Sequence, residues 1–498
     1  NGMVGATTIQ PGGSVGPGNS IGTLHVNGAF TQASGSVYQV EVDPTSNASD
    51  LILVNGAATI QSGATLNVTK NPQGAYRQGA QYTVLTASGG VTGSYALTGD
   101  TALSQYLALR ESQDAGNIYL SIVQTGDPAT AAVTPNQTSV AQAVDSLPSS
   151  NSVPAAVLNL PSAAAVPPAF DALSGEALAS AKGALISSSL LVRDTMFDHL
   201  RDVVCMDGSQ DDRGRSHHAG CVAAPGRPSL WMQGFGGWNH VYGNGNAAGV
   251  SQTSGGFLTG VDVPVYDWRI GVFGGYSRTD FDVTARASSG ASNNYHLGAY
   301  GGTLMGDFTL RLGASYSWSA IDTERLVAIN AFSNSLRASY NTGTTQVFGE
   351  IGRAFETGQV SLEPFANLAY VGLNTDGFSE AGGDAALTSR RDTTQDMFAT
   401  FGVRPSTEVT LGPVSAVLRG MVGWRHTFGD IAPSSRVSFA GSKDFAVAGA
   451  PIAKNSAVVE AGFGADLSSH AAVSLTYGGQ FSSEETDHSI RGTITLTF

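Results

Sequence analysis

The stretch PGGSVGPGNSIGTLHVNG (11–28) holds the pattern G-x-S-x-G twice, around Ser14 and Ser20. In a hydrolase that pattern builds a nucleophile elbow, a strand-to-helix turn that presents the serine hydroxyl. Here Gly16-Pro17-Gly18 follows Ser14 and stops a helix at once. After Ser20, Ile21, Leu24, Val26 and Phe30 stand among Thr and Gly in strand-like fashion, and the nearby base, His25, lies in that strand. Both serines therefore read as turn residues. A second set, Cys205, His217, His218 and Cys221, has ligand types that suit zinc. The loop between the cysteines is polar and glycine-rich, so a Cys205–Cys221 disulfide in an oxidising compartment is the expectation instead. Such a bridge closes about 15 residues and is worth roughly 3 kcal/mol. No metal or cofactor is expected, and no residue is assigned a catalytic role.

The formal net charge of −14 argues against nucleic acid as a partner. The sequence opens at Asn1 with neither an initiator Met nor a signal peptide. The longest apolar candidate, 177–192, is interrupted by Ser180, Lys182 and three serines at 187–189, which excludes it as a membrane helix. A membrane β-barrel stays open, because its strands carry only a weak alternating signal.

The elements that would position any chemistry fall into five segments. Residues 1–125 alternate short strands, such as 37–42, 50–54 and 65–68, with Gly/Asn/Ser turns, a pattern that suits a right-handed parallel β-helix. Strands at 81–88 and 117–123 would continue and cap the stack. Residues 126–169 are rich in Ala, Pro and Ser and read as a linker with one short helix near 137–147. Residues 170–204 run without proline and predict a helix of roughly 50 Å, small and polar over much of its surface. The cysteine-bounded loop 205–228 follows.

From 229 to 498 the period becomes two. Phe308, Leu310, Leu312, Ala314, Tyr316 and Trp318 form one face, while Thr309, Arg311, Ser315 and Ser317 form the other. Twelve such runs fit an all-β, 12-stranded antiparallel transmembrane barrel with apolar side chains outward. Trp231, Trp238, Tyr266, Trp268, Trp318, Tyr370, Trp424 and Tyr477 are expected as interface girdles. Twelve strands leave a lumen that a helix about 10–12 Å wide fills. Alternation turns Arg269, Arg311, Glu350, Glu363, Arg419, Arg425 and Glu460 toward that lumen, with Asp262. The helix offers Glu176, Lys182, Arg193 and Asp194. Arg193 or Lys182 is expected to meet a wall carboxylate, and Asp171 or Glu176 a wall arginine.

Residues 170–498 resemble the translocator of a monomeric (type V) autotransporter of the pertactin-like kind. The resemblance rests on FDALSGEALASAKGALISSSLLVRD (170–194), LEPFANLAYV (362–371), FGVRPST (401–407), LRGMVGWRHTFGD (418–430), FAVAGAPIAKNSAVVEAGFGADL (445–467) and the last strand. That strand ends on alternating Ile494, Leu496 and Phe498, an assembly signal in such proteins. It carries Thr493 where the usual signal has Gly, with Gly492 one place earlier. The resemblance implies a monomeric barrel in the bacterial outer membrane, with residues before about 170 at the cell surface. Residues 1–125 would be the end of a passenger, a stub that promotes passenger folding. Implied partners are outer-membrane lipid, the barrel assembly machinery, periplasmic chaperones and the chain's own upstream passenger. Some members cut their passenger with lumenal acids; Glu350, Glu363, Glu460 and Asp262 read here as structural charges. Two other roles remain: an adhesin or esterase-type autotransporter with its effector upstream of residue 1, or a helix-plugged passive pore.

Overall fold

The computed structural model describes residues 2–18, 20–71, 74–203, 227–411, 414–468 and 470–498. Cys205 and Cys221 lie outside the described residues.

Period-two apolar residues separated by tight turns stack the N-terminal segment into three parallel sheets. One holds Gly2–Val4, Thr23–Val26, Leu51–Val54 and Gln81–Ala87. Another holds Thr7–Ile9, Phe30–Gln32, Ala58–Ile60 and Val91–Thr92, and the third Ser14–Val15, Val37–Asp43, Thr65–Lys70 and Ala96–Gly99. Each turn of chain thus visits all three sheets. In-register pairs such as Val26↔Val54 and Val40↔Val68 stack apolar side chains along a dry axis with Phe30, Tyr38, Ile52, Leu66 and Tyr82. The hairpin Leu107–Gln113/Asn117–Gln124 pairs antiparallel to Gln81–Ala87 and ends the stack. Ser14 starts an edge strand paired to Val37 rather than lying in a turn. Neither G-x-S-x-G serine opens a helix.

The segment expected as a linker is folded. It forms α1 (Pro135–Asp145), α2 (Ser152–Leu158) and α3 (Val166–Ser174). Its prolines do not prevent this, because Pro135 and Pro167 occupy first-turn positions where the missing N–H has no helical partner. Thr134 and Gln137 close a capping box at the start of α1. The Ala/Val face thereby created (Val140, Val144, Val153, Val157, Phe170, Leu173) packs on Val327, Ile329 and Leu336 and on Leu387, Val437, Phe439 and Val447.

The long helix is also broken. Gly175, left-handed at φ 66°, ends α3, and α4 runs from Glu176 to Val203. A Cβ at Gly175 would stand 2.3 Å from Leu387 Cδ1. Gly175→Val is expected to cost about 1–3 kcal/mol through left-handed strain plus the clash. Faster proteolysis of α1–α3 in the folded protein checks this; unchanged cleavage contradicts it.

The period-two region closes into a barrel of twelve long strands: β1 (Ser229–Val241), β2 (Val250–Val265), β3 (Trp268–Val283), β4 (Ser288–Met305), β5 (Phe308–Ile329), β6 (Phe332–Arg353), β7 (Val360–Thr375), β8 (Asp392–Leu411), β9 (Val414–Phe428), β10 (Asn455–Ser468), β11 (Ala471–Phe481) and β12 (Glu485–Thr497). Each pairs antiparallel with its sequence neighbours, and β12 returns to β1 in unbroken register from Ser229↔Thr497 to Val241↔Glu485. That register settles the terminal strand: Ile494, Leu496 and Phe498 face outward while Arg491, Thr493 and Thr495 face the lumen. Residues 387–389, just before β8, join a four-stranded sheet with Phe378–Ser379, Ser434–Phe439 and Phe445–Ala448. Arg390 and Arg391 separate the two runs. That sheet and α1–α3 cover the barrel end that bears the long loops. Trp231 is a further correction: it points inward and is buried, whereas Trp238, Trp268, Trp318 and Trp424 face outward.

The candidate functional site: a helix inside the barrel

α4 lies in the lumen. Its 28 residues span about 42 Å, longer than the roughly 30 Å of a bilayer core. Small residues let it in at the long-loop end. A Cβ on Gly183 would stand 3.3 Å from Pro433, and Ala450 N donates to Ser180 Oγ at 3.0 Å. Lower down, one face is apolar. Leu185, Ile186, Val192, Met196, Phe197 and Leu200 pack on Leu258, Phe273, Tyr300, Phe348 and Val371. The ring centroids of Phe197 and Phe348 are 5.1 Å apart, edge to face.

The other face is charged. Asp198 accepts from Arg491 Nε at 2.5 Å, and Arg491 also donates to Glu460 at 2.6 Å. Asp194 sits 3.8 Å from Arg425 and 4.0 Å from Arg491. Arg201 bonds Asp198 and stands 3.6 Å from Glu460, and Asp202 bonds Arg419. Arg425 also donates to Gln480 at 2.7 Å. Asp194, Asp198, Arg201 and Asp202 fall at helical spacing, so α4 presents one charged stripe to β9–β12. At the short-turn end, His199 Nε2 is 2.6 Å from Asp262 Oδ2. Asp262 also accepts from Ser229, Arg269 and Tyr300. The indole of Trp231 stacks on His199 with centroids 4.5 Å apart. Buried charges keep their ionised form only when so partnered, and removing one partner strands the other.

Of the helix charges singled out from sequence, Lys182 meets a wall carboxylate, Asp392, at 2.6 Å, and also Ser434 O at 2.7 Å. Glu176 and Asp171 both meet an arginine, Arg286, at 2.8 and 3.2 Å. That arginine belongs to the turn between β3 and β4 rather than to the wall. Arg193 meets no carboxylate: its guanidinium lies 5.4 Å from the Phe398 ring centroid, with both terminal nitrogens lacking a hydrogen-bond partner among the described residues. Among the described residues, Arg311, Glu350 and Glu363 do not reach the helix through a hydrogen bond. Arg311 bonds Glu350 at 3.0 Å and Glu363 at 2.7 Å, and Arg404 bonds Glu350 at 2.7 Å. Sequence reasoning passed over Asp198, His199, Arg201, Asp202, Arg404 and Arg491. Asp198, Arg201 and Asp202 continue the stripe begun at Asp194, His199 lies on another face toward Asp262, and Arg491 is inward by the alternation already read in the last strand.

Because Asp392 is half exposed and stays hydrated once its partner is lost, Lys182→Gln is expected to cost no more than about 1 kcal/mol. Thermal unfolding should shift little; a large loss would mean that this pair fixes the helix.

The Autotransporter beta-domain family model matches residues 230–478, half of the chain. Two curated relatives, both described as an extracellular serine protease of Serratia marcescens, are 31% identical over all of this chain and 34% identical over 66% of it. The chain spans about half the length of the first (51%) and 30% of the second. The translocator domain of the autotransporter NalP from Neisseria meningitidis is 14% identical, with TM-score 0.47, covering 55% of this chain and 90% of that one. The transport unit of the autotransporter AIDA-I from Escherichia coli is 15% identical, with TM-score 0.40, covering 60% and 95%. With β2–β10 and most of β1 and β11 inside the matched residues, the chain belongs to the autotransporter β-domain family.

Proposed function

We propose that this chain is an outer-membrane translocator that carries its own N-terminal passenger to the cell surface. One observation supports this above others: the chain passes once through its own pore. α4 enters beside the short turns, leaves among the long loops, and continues through α1–α3 into the β-helix. Outer-membrane barrels keep short turns on the periplasmic side and long loops outside. Residues before about 170 then lie at the surface. The stacked rungs offer a template on which further rungs add one neighbour at a time, favouring folding outside the cell. The charged stripe of α4 would hold the plug after export. Ile494, Leu496 and Phe498 serve as the signal read by the barrel assembly machinery, with periplasmic chaperones keeping the unfolded chain competent. The test is an epitope fused ahead of residue 1. It should react with antibody on intact cells when 229–498 is present and fail when β12 is deleted.

The names of the Serratia relatives favour a second reading, that the whole protein bears a secreted hydrolytic domain ahead of the β-helix. Casein hydrolysis by cells expressing the longer protein, lost on serine-directed inhibition, would support it. Intact casein would count against it.

A further inference from the structure

β1 and β12 come from opposite ends of the barrel sequence, whereas the remaining junctions join consecutive strands. Closing the longest loop costs the most chain entropy, so this seam is the junction that folding favours least. Its own groups fasten it at the two ends. Asn239 donates to Glu485 near the long loops, and Phe498 N donates to Pro228 O at the short-turn end. Between them Gly234 faces Gly492, a cross-strand pair with no side chains to pack.

α4 lies against that middle stretch and is held on both sides of it. Toward β1, a Cβ on Gly237 would stand 3.1 Å from Leu191 Cδ1, so the missing side chain lets the helix rest on the strand. The Trp231 ring of β1 stacks on His199. His199 Nε2 bonds Asp262 on β2, which also accepts from Ser229 Oγ on β1 at 2.8 Å. Toward β12, Asp198 accepts from Arg491 Nε. Beyond it, Arg201 stands 3.6 Å from Glu460 on β10, and Asp202 bonds Arg419 on β9 and accepts from Ser474 Oγ on β11 at 3.4 Å. His199, Asp198, Asp202 and Arg491 are all buried. Consecutive residues project about 100° apart around a helix, so Asp198 and His199 grip opposite sides of one junction. From Leu191 to Asp202 this contact runs roughly 17 Å along the helix axis.

We propose that the seated helix is a brace across the β1–β12 seam, locking the barrel at the junction between its two chain ends. The inference rests on the export reading above and adds an order of events to it. While the chain is still passing through the pore neither grip exists, and the seam opens more readily. When α4 arrives both grips form, and the end of export locks the barrel. A helix held by its charged stripe alone would steady β9–β12. A helix held on both sides couples β1 and β2 to β10–β12 and resists their separation.

Hydrogen–deuterium exchange of the full chain, purified folded in detergent, tests this. Peptides from 229–241 and 485–497 report the seam, and peptides from 308–329 and 332–353 report the β5–β6 junction as reference. His199→Leu, which releases the grip on β1 and β2, should speed exchange about tenfold in both seam strands and leave the reference strands as in the parent. Asp202→Asn, in the opposite grip, should act on the same two strands by a smaller factor. His199→Gln keeps a donor in the place of Nε2 and should recover most of the parent's protection. Phe197→Leu, which trims the contact with Phe348 on β6, should lower the unfolding temperature without favouring the seam. Heat-modifiable migration confirms that each variant is folded; if His199→Leu is not, Asp202→Asn carries the test. Unchanged seam exchange in the folded variants, or a rise shared equally by 308–353, overturns the proposal. Loss of surface display in cells would instead count against the export reading, which exchange in the purified protein does not touch.

Discussion

Arg491→Met will unseat the lumenal helix. Arg491 is buried, and its guanidinium serves Asp198, Glu460 and, more distantly, Asp194. Methionine fills similar volume but leaves those carboxylates facing one another across a narrow lumen. Breaking a buried pair by removing one partner costs about 3–5 kcal/mol. Partial hydration of Asp194 and Glu460 places the expectation near the lower end. The helix should then move within an intact barrel, raising single-channel conductance in planar bilayers and lowering the unfolding temperature. Adding Asp198→Asn and Glu460→Gln should restore most of the loss, since the penalty is one of stranded charge rather than shape. If Arg491→Met conducts and unfolds like the parent, the charged stripe does not hold the plug.

The second large effect concerns the last residues. Phe498 faces outward, 66% exposed, and its N–H donates to Pro228 O at 3.1 Å, tying the end of β12 to the start of β1. As a lipid-facing ring it is worth about 1.5–3 kcal/mol, and Phe463 on β10 offers a comparable ring at 41% exposure. If burial in lipid were its whole contribution, Phe498→Ala and Phe463→Ala would lower barrel levels equally. As part of an assembly signal, Phe498→Ala should deplete the outer-membrane fraction severalfold more than Phe463→Ala. Equal levels would show that β12 carries no special instruction.

Much of the fold could be read because barrels and β-helices write themselves in period two. The alternation in 308–318 located Arg311 in the lumen and Trp318 outside, as the structure has them. Trp231 was misread because residue type, an aromatic near a strand end, was weighed above its own alternation with Leu230 and Met232. The folded helices of 135–174 were hidden by their prolines, counted as breakers without asking whether each stood in a first turn. The break at Gly175 is equally local: one glycine in a helical run is tolerated or terminal according to its surroundings, here Leu387 from a strand distant in sequence. Ion-pair partners were the least legible. Sequence gives the face a charge occupies, but barrel shear and helix rotation decide whether Arg311 meets α4 or the neighbouring strand.

The central claim is that the chain threads its own barrel from periplasm to surface, and surface proteolysis tests it most directly. Cells expressing the chain with one epitope near residue 30 and another in the turn at 306–307 are treated with protease while intact. The account predicts loss of the first epitope, survival of the second, and a protected fragment containing 229–498. Protection of residue 30 on intact cells, or cleavage at 306–307 without prior lysis, would contradict it.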